Sequence, residues 1–250
     1  MPLYETAKEA IVQAGSECGL SGLSDSTDVW ASTDPAVVQM RNIASSAGRE
    51  MLALHTWQRL ITEYSHTFAS PADDSGVLAL PDDFGYMIPQ TGWSPVNAGM
   101  GMPLAGPLSP QDWTYIVNSG LAQSTIYISF RQQEGSFKVL PIPPPVGTEI
   151  NYQYVKRNWA LAVDGTTYKD KLTANDDTVL YIPILYQKFL KLRFLEAKGF
   201  DTTSALAQFQ TVFMQWTGND ISAPILSMAR NRVFPYLGWR NIPETNYGLP

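Results

Sequence analysis

The sequence predicts an α+β protein: a helical bundle, with helices near residues 5–14, 35–54, 178–198 and 202–217, that carries an inserted antiparallel β subdomain. Three observations predict it. Apolar residues recur at helical spacing toward both ends of the chain, whereas between them the period drops to two and Gly and Pro mark turns. The chain has 250 residues and is 44% apolar, enough to bury a sizeable core. The expected organisation is a bundle from 1–56 and 175–218, a β-rich subdomain with long loops over 57–174, and an extended C-terminal arm, 219–250.

In chain order, Ala7, Ala10, Ile11 and Ala14 define a short amphipathic helix over Glu5–Ala14 with a stop at Gly15, and a Gly/Ser/Asp-rich loop follows to residue 33. Asp34 before Pro35 is a strong helix start, because the carboxylate caps free amides and proline loses nothing at the first helical position. Val37, Val38, Met40, Ile43, Ala44, Ala47, Met51 and Leu54 then form one wide stripe, with Arg41, Arg49 and Glu50 largely outside it. From Trp57 to Phe68 the period changes: Leu60, Thr62, Tyr64, His66 and Phe68 share a face, as on a half-exposed strand. Asp73-Asp74-Ser75-Gly76 turns the chain, and Val77–Leu80 reads as the antiparallel partner of that strand.

Residues 85–123 are rich in Gly and Pro but hold Trp93, Met100, Met102, Trp113 and Ile116, so they read as an anchored docking segment in which Ser109-Pro110-Gln111-Asp112 opens a short helix. Thr125–Phe130 and Phe137–Leu140 make a hairpin of the longer-loop kind around Gln132, Gln133 and Glu134. A third strand, Glu149–Lys156, places Ile150, Tyr152 and Tyr154 on one side after the proline run 141–145. Asn175-Asp176-Asp177 offers caps for a helix that contains Pro183 and ends before Gly199. Asp201 caps a second helix, with Ala205, Leu206, Phe209, Val212, Phe213 and Trp216 inside and a break at Gly218. So short a connection makes the two antiparallel neighbours.

Only 16% of residues are charged while 12% are aromatic, the balance of a surface given over to contacts or of large aromatic cores. A net charge of −6 argues against tight binding to nucleic acid. The single Cys18 excludes an intrachain disulfide framework, reads as a small buried hydrophobe, and fits cytosolic folding. No stretch reaches the length of a membrane helix. His55 and His66 lack metal-ligand spacing, the Asp doublets sit where carboxylates cap amides, and no nucleophile, phosphate-loop or dinucleotide motif occurs. These observations predict neither an enzyme nor a cofactor.

Trp93, the segment Pro103-Leu104-Ala105-Gly106-Pro107-Leu108-Ser109-Pro110-Gln111-Asp112-Trp113, the phenylalanine-bearing strand to Phe130, the proline-rich turn and the tyrosine strand closing on Asn158-Trp159 form a pattern. It resembles the head-to-tail adaptors of short-tailed bacteriophages, the tail tubular protein A-like family, over residues 34–217; in those adaptors a long helix, a tryptophan and a strand precede a segment like Leu80-Pro81-Asp82-Asp83-Phe84. The resemblance implies a structural virion protein, made in the host cytoplasm, that forms a ring of twelve at the capsid vertex and joins the portal protein to a distal tail (nozzle or fibre) protein. Genomic DNA would pass through the lumen without specific binding, and no membrane would be involved. On that reading Arg230, Arg232, Phe234, Tyr236, Trp239 and Arg240 dock the arm on the portal or a neighbour. Trp93, Met100, Met102, Trp113, Gln132, Gln133 and Glu134 contact the distal tail. The alternative is a carbohydrate-binding or adhesin-like β module of a tail, which would expose aromatics on a sheet face.

Overall fold

Asp34 and Pro35 start the longest helix, α2 (Pro35–Leu54): the Asp34 carboxylate accepts the Ala36 N–H at 2.8 Å. In this computed structural model, which describes residues 4–20, 22–95, 101–121 and 128–220 with side chains through Gly218, α2 is one of five α-helices among the described residues. They combine with antiparallel sheets, so the fold class is α+β. Of the expected α2 stripe, Val37, Met40, Ala44, Ala47 and Met51 are fully buried, whereas Val38 and Ile43 are half-buried and Leu54, at the helix end, is exposed. It packs against α4 (Pro183–Lys198), and two tyrosines tie the elements together: the Tyr186 hydroxyl donates to the Ala44 carbonyl at 2.7 Å and the Tyr181 hydroxyl to the Gly48 carbonyl at 2.8 Å. Burial pushes both phenols well above their ordinary range, so they stay donors.

The first helix, α1 (Ala7–Glu17), begins with a reciprocal capping box between Thr6 and Glu9 and runs past Gly15, where the sequence predicts its end. Inside the helix, Gly15 leaves room for Leu23. A Cβ there would lie 2.2 Å from Leu23 Cδ1, and the left-handed turn that ends the helix comes at Gly19, φ +77°. The second boundary correction concerns α4, which starts at Pro183 because Thr178–Val179 is a strand, β12. It lies between β1 (Glu5–Thr6) and β10 (Ala160–Leu161), with β11 (Tyr168–Lys169) at the far edge. The Asp177 side chain therefore caps no helix. Fully buried, it accepts the Thr173 N–H (2.6 Å), the Ala174 N–H (2.9 Å) and the Lys169 ammonium (2.9 Å). Burial opposes its charge, but these bonds outweigh that cost and hold the carboxyl below its ordinary value.

Gly199, φ +72°, ends α4, and Asp201 accepts the Thr203 N–H at 2.9 Å to start α5 (Thr203–Asp220). α5 folds back on α4 through Phe189 and Phe209, whose rings are 4.9 Å apart. It runs through Gly218, where the sequence predicts a break, since a glycine in a last turn costs a helix only about 1 kcal/mol.

The remaining strands form two sheets. β2 (Ile61–Thr67) pairs along its whole length with β9 (Glu149–Lys156); β4 (Phe84–Met87) and β5 (Trp93–Ser94) also pair with β9, and β6 (Met102–Pro103) extends β5. The second sheet is β3 (Val77–Ala79), β8 (Ser136–Leu140) and β7 (Ser129–Gln133). Three expectations change here. Residues 58–60 form a 3-10 turn, so the strand starts at Ile61. Val77–Ala79 pairs with β8 and not β2, because Leu78 opposite Phe137 enters the core between the sheets. The β7–β8 hairpin is tight: pairing reaches Gln133↔Ser136, and Glu134 (φ +52°) and Gly135 (φ +71°) make a two-residue turn whose twist suits the strands. Phe68, Phe130, Phe137, Ile150, Tyr152 and Tyr154 fill the space between the two sheets. A larger core gathers α1, α2, α4, α5, β12, Trp57 and Trp159.

Glu5 is, with Asp177, a buried carboxylate in this apolar order, but it is less well partnered. It is 7% exposed; one carboxyl oxygen accepts Gln187 Nε2 at 2.6 Å and the other has no partner. Burial, opposed by the Gln187 bond and reinforced by Glu9, pushes its pKa up to about 7 from 4.5. The folded chain thus keeps a proton that the unfolded chain releases, so stability falls as pH rises from about 4.5 to about 7 and then levels off. Glu5→Gln is expected to remove that loss, on the order of 2–3 kcal/mol, when urea unfolding is compared at pH 5 and pH 8.

Candidate interaction surfaces

β5 contributes Trp93 and β7 contributes Gln132 to the wall of one cavity of about 720 Å³, opened between the two sheets. Tyr86, Leu104, Pro107 and Phe130 line it as well. No charged side chain does; its polar side chains include the carboxamides of Gln132 and Gln90, the latter held in the left-handed region at φ +64°. Such a lining suits a neutral, apolar group. Of the other residues expected to meet a distal partner, Met102 is exposed on β6, Gln133 is half-buried in β7, and Glu134 is exposed at the hairpin tip. Trp113 sits half-buried on α3 (Pro110–Asn118), a helix capped by Ser109 that buries none of its residues and leaves Tyr115 69% exposed. Met100 lies outside the described residues, as do Arg230, Arg232, Phe234, Tyr236, Trp239 and Arg240.

α5 provides a surface that the sequence reading did not single out. Ala205 and Phe209 are buried and Val212, Phe213 and Trp216 half-buried, as expected, but Leu206 is 41% exposed. With Gln210 and Met214, which is 72% exposed, it forms an i, i+4, i+8 row on the face away from α4. No charged residue occurs between Thr202 and Asn219. That run of uncharged residues was the available signal, since a solvated helix face is normally charged.

No protein-family model matches the chain, and no curated protein matches it. The described residues contain no group of side chains suited to a metal ion, and none of their helices is long and apolar enough to cross a membrane. His66 Nε2 instead lies 3.2 Å from Asp73 Oδ2, and Asp73 also accepts the Ala69 N–H. Asp83 accepts the Tyr154 hydroxyl at 2.6 Å, so these acids serve turns and side chains close by. Cys18 is half-buried, and burial raises its thiol above the ordinary value, which makes it a poor nucleophile.

Proposed function

We propose that the chain is the subunit of a head-to-tail adaptor ring in a short-tailed phage virion, a structural protein without catalytic activity or cofactor. α1, α2, α4 and α5 act as a helical bundle forming the ring wall, from residues 1–56 and 175–218. Residues 57–174 are a β subdomain inserted into it, which turns the cavity at Trp93 and Gln132 toward the distal tail protein. The segment after α5, from residue 221, reaches the portal or a neighbouring copy, and DNA passes through the lumen without specific binding.

The observation that carries this reading is the exposed, uncharged row Leu206, Gln210 and Met214 on α5. Interface centres lose charge, and methionine adapts to a partner surface. In a ring the contact is head-to-tail, so this row meets a different surface of the next copy and the assembly closes by rotation. The glycan-binding alternative requires aromatics exposed on a sheet face. Phe130, Phe137, Tyr152 and Tyr154 are buried and support the adaptor reading, whereas Tyr86 on β4 and Tyr168 on β11, each 41% exposed, are the residues on which the alternative would rest. The test is assembly with the portal protein of the same virion, read as the mass of the product.

A further inference from the structure

The β10–β11 edge holds a second, smaller cleft, of about 290 Å³, whose chemistry is opposite to that of the apolar cavity. Arg157, Lys169, Lys171, Tyr168 and Thr173 line it, with Asp170 as its one carboxylate. In a chain of net charge −6 this is a local excess of positive charge. The carboxylates nearby are already engaged. Asp170 lies 3.6 Å from Arg49, Asp177 takes the Lys169 ammonium at 2.9 Å, and Asp83 faces Lys156 at 3.7 Å while accepting Tyr154. Lys156 also lies over the Tyr168 ring, 4.2 Å from its centroid. Arg157 and Lys171 are left exposed with no carboxylate among the described residues.

We propose that this cleft binds a phosphate group. Two unpaired cations on one concavity repel each other, and an oxyanion between them removes that cost. A single carboxylate would neutralise only one of them. A phosphate monoester, with a charge of about −1.5 to −2 at neutral pH, or two adjacent phosphodiesters of a nucleic acid, neutralises both. The Arg157 fork offers paired donors and the Lys171 ammonium a point charge, the two usual ways of holding phosphate. The root of Arg157 is fixed, since its backbone N–H donates to the Asp83 carbonyl at 2.8 Å. The inference does not depend on the ring reading.

The test titrates the full chain with inorganic phosphate, followed by NMR shifts at Arg157 and Lys171, and with a DNA duplex of about 20 base pairs, followed by anisotropy at rising salt. The double variant Arg157→Gln/Lys171→Gln is run beside it, with unchanged melting as the control for folding, and acetate serves as the carboxylate control. Saturable phosphate binding, weakened at least about tenfold in the double variant, supports the proposal and identifies a free phosphate or monoester as the source. Duplex binding that the double variant weakens equally, with a log–log salt slope near −2, supports it with nucleic acid as the source. The proposal is overturned if neither probe binds, if the double variant binds both as tightly as the natural chain, or if acetate competes as well as phosphate.

Discussion

Trp159→Ala is expected to destabilise the fold by about 3–5 kcal/mol, the range for removing a buried aromatic ring. Trp159 is fully buried and stacks on Tyr181, with ring centroids 5.7 Å apart and planes 18° from parallel, while Tyr186 lies 6.0 Å away. Its indole N–H donates to the Asp170 carbonyl at 3.0 Å, which ties the segment leaving β11 to the core. The ring also fills the notch made by Gly48 in α2, where a Cβ would lie 2.1 Å from Trp159 Cζ2. Walls contributed by two helices and a sheet cannot collapse into the space left behind, so the transfer and cavity costs add. Urea unfolding measures the loss. A change below about 1 kcal/mol, the size of an ordinary surface effect, would mean that these elements do not depend on the ring for their packing.

The second large effect falls on assembly and leaves the fold intact. Leu206→Glu and Met214→Glu put carboxylates on the exposed α5 row, where they disturb no packed neighbour, so unfolding free energy is expected to change by less than about 0.5 kcal/mol each. In a subunit contact the same carboxylates are desolvated without partners, at about 2–4 kcal/mol per site. The double variant is therefore expected to stay folded and fail to join a ring. Gln13→Glu, on the exposed face of α1, serves as the control for added charge alone. Equal assembly of the double variant and the natural chain would remove α5 from the subunit contact.

Local chemistry was legible in the sequence wherever one residue forces one backbone state. Asp34-Pro35, Ser109-Pro110, Gly199 and Asp201 start or stop helices where they were expected to. Glycine misled where it is chosen for its missing side chain: Gly15 makes room for Leu23, a role no periodicity reveals. Strand identity was readable and strand partnership was not. Val77–Ala79 alternates like any half-buried strand, but its pairing with β8 follows from Leu78 and Phe137 meeting across a core formed by distant segments. Asp177 shows the same limit, since a carboxylate before a helix reads as a cap until the turn at Thr173 and Ala174 folds around it. At the candidate sites, the sequence picked out Trp93 and Gln132 separately, and only the two sheets together put them on one cavity. The α5 row was visible in advance as missing charge, although its outward direction depends on which face packs against α4.

The ring reading is tested most directly by weighing the chain alone and mixed with a candidate portal protein, by mass photometry. The prediction is a saturable increment on the portal of about 330 kDa, twelve copies of the 27.7 kDa chain, that is absent for the Leu206→Glu/Met214→Glu variant. A chain that adds no mass to the portal at any salt concentration would contradict it.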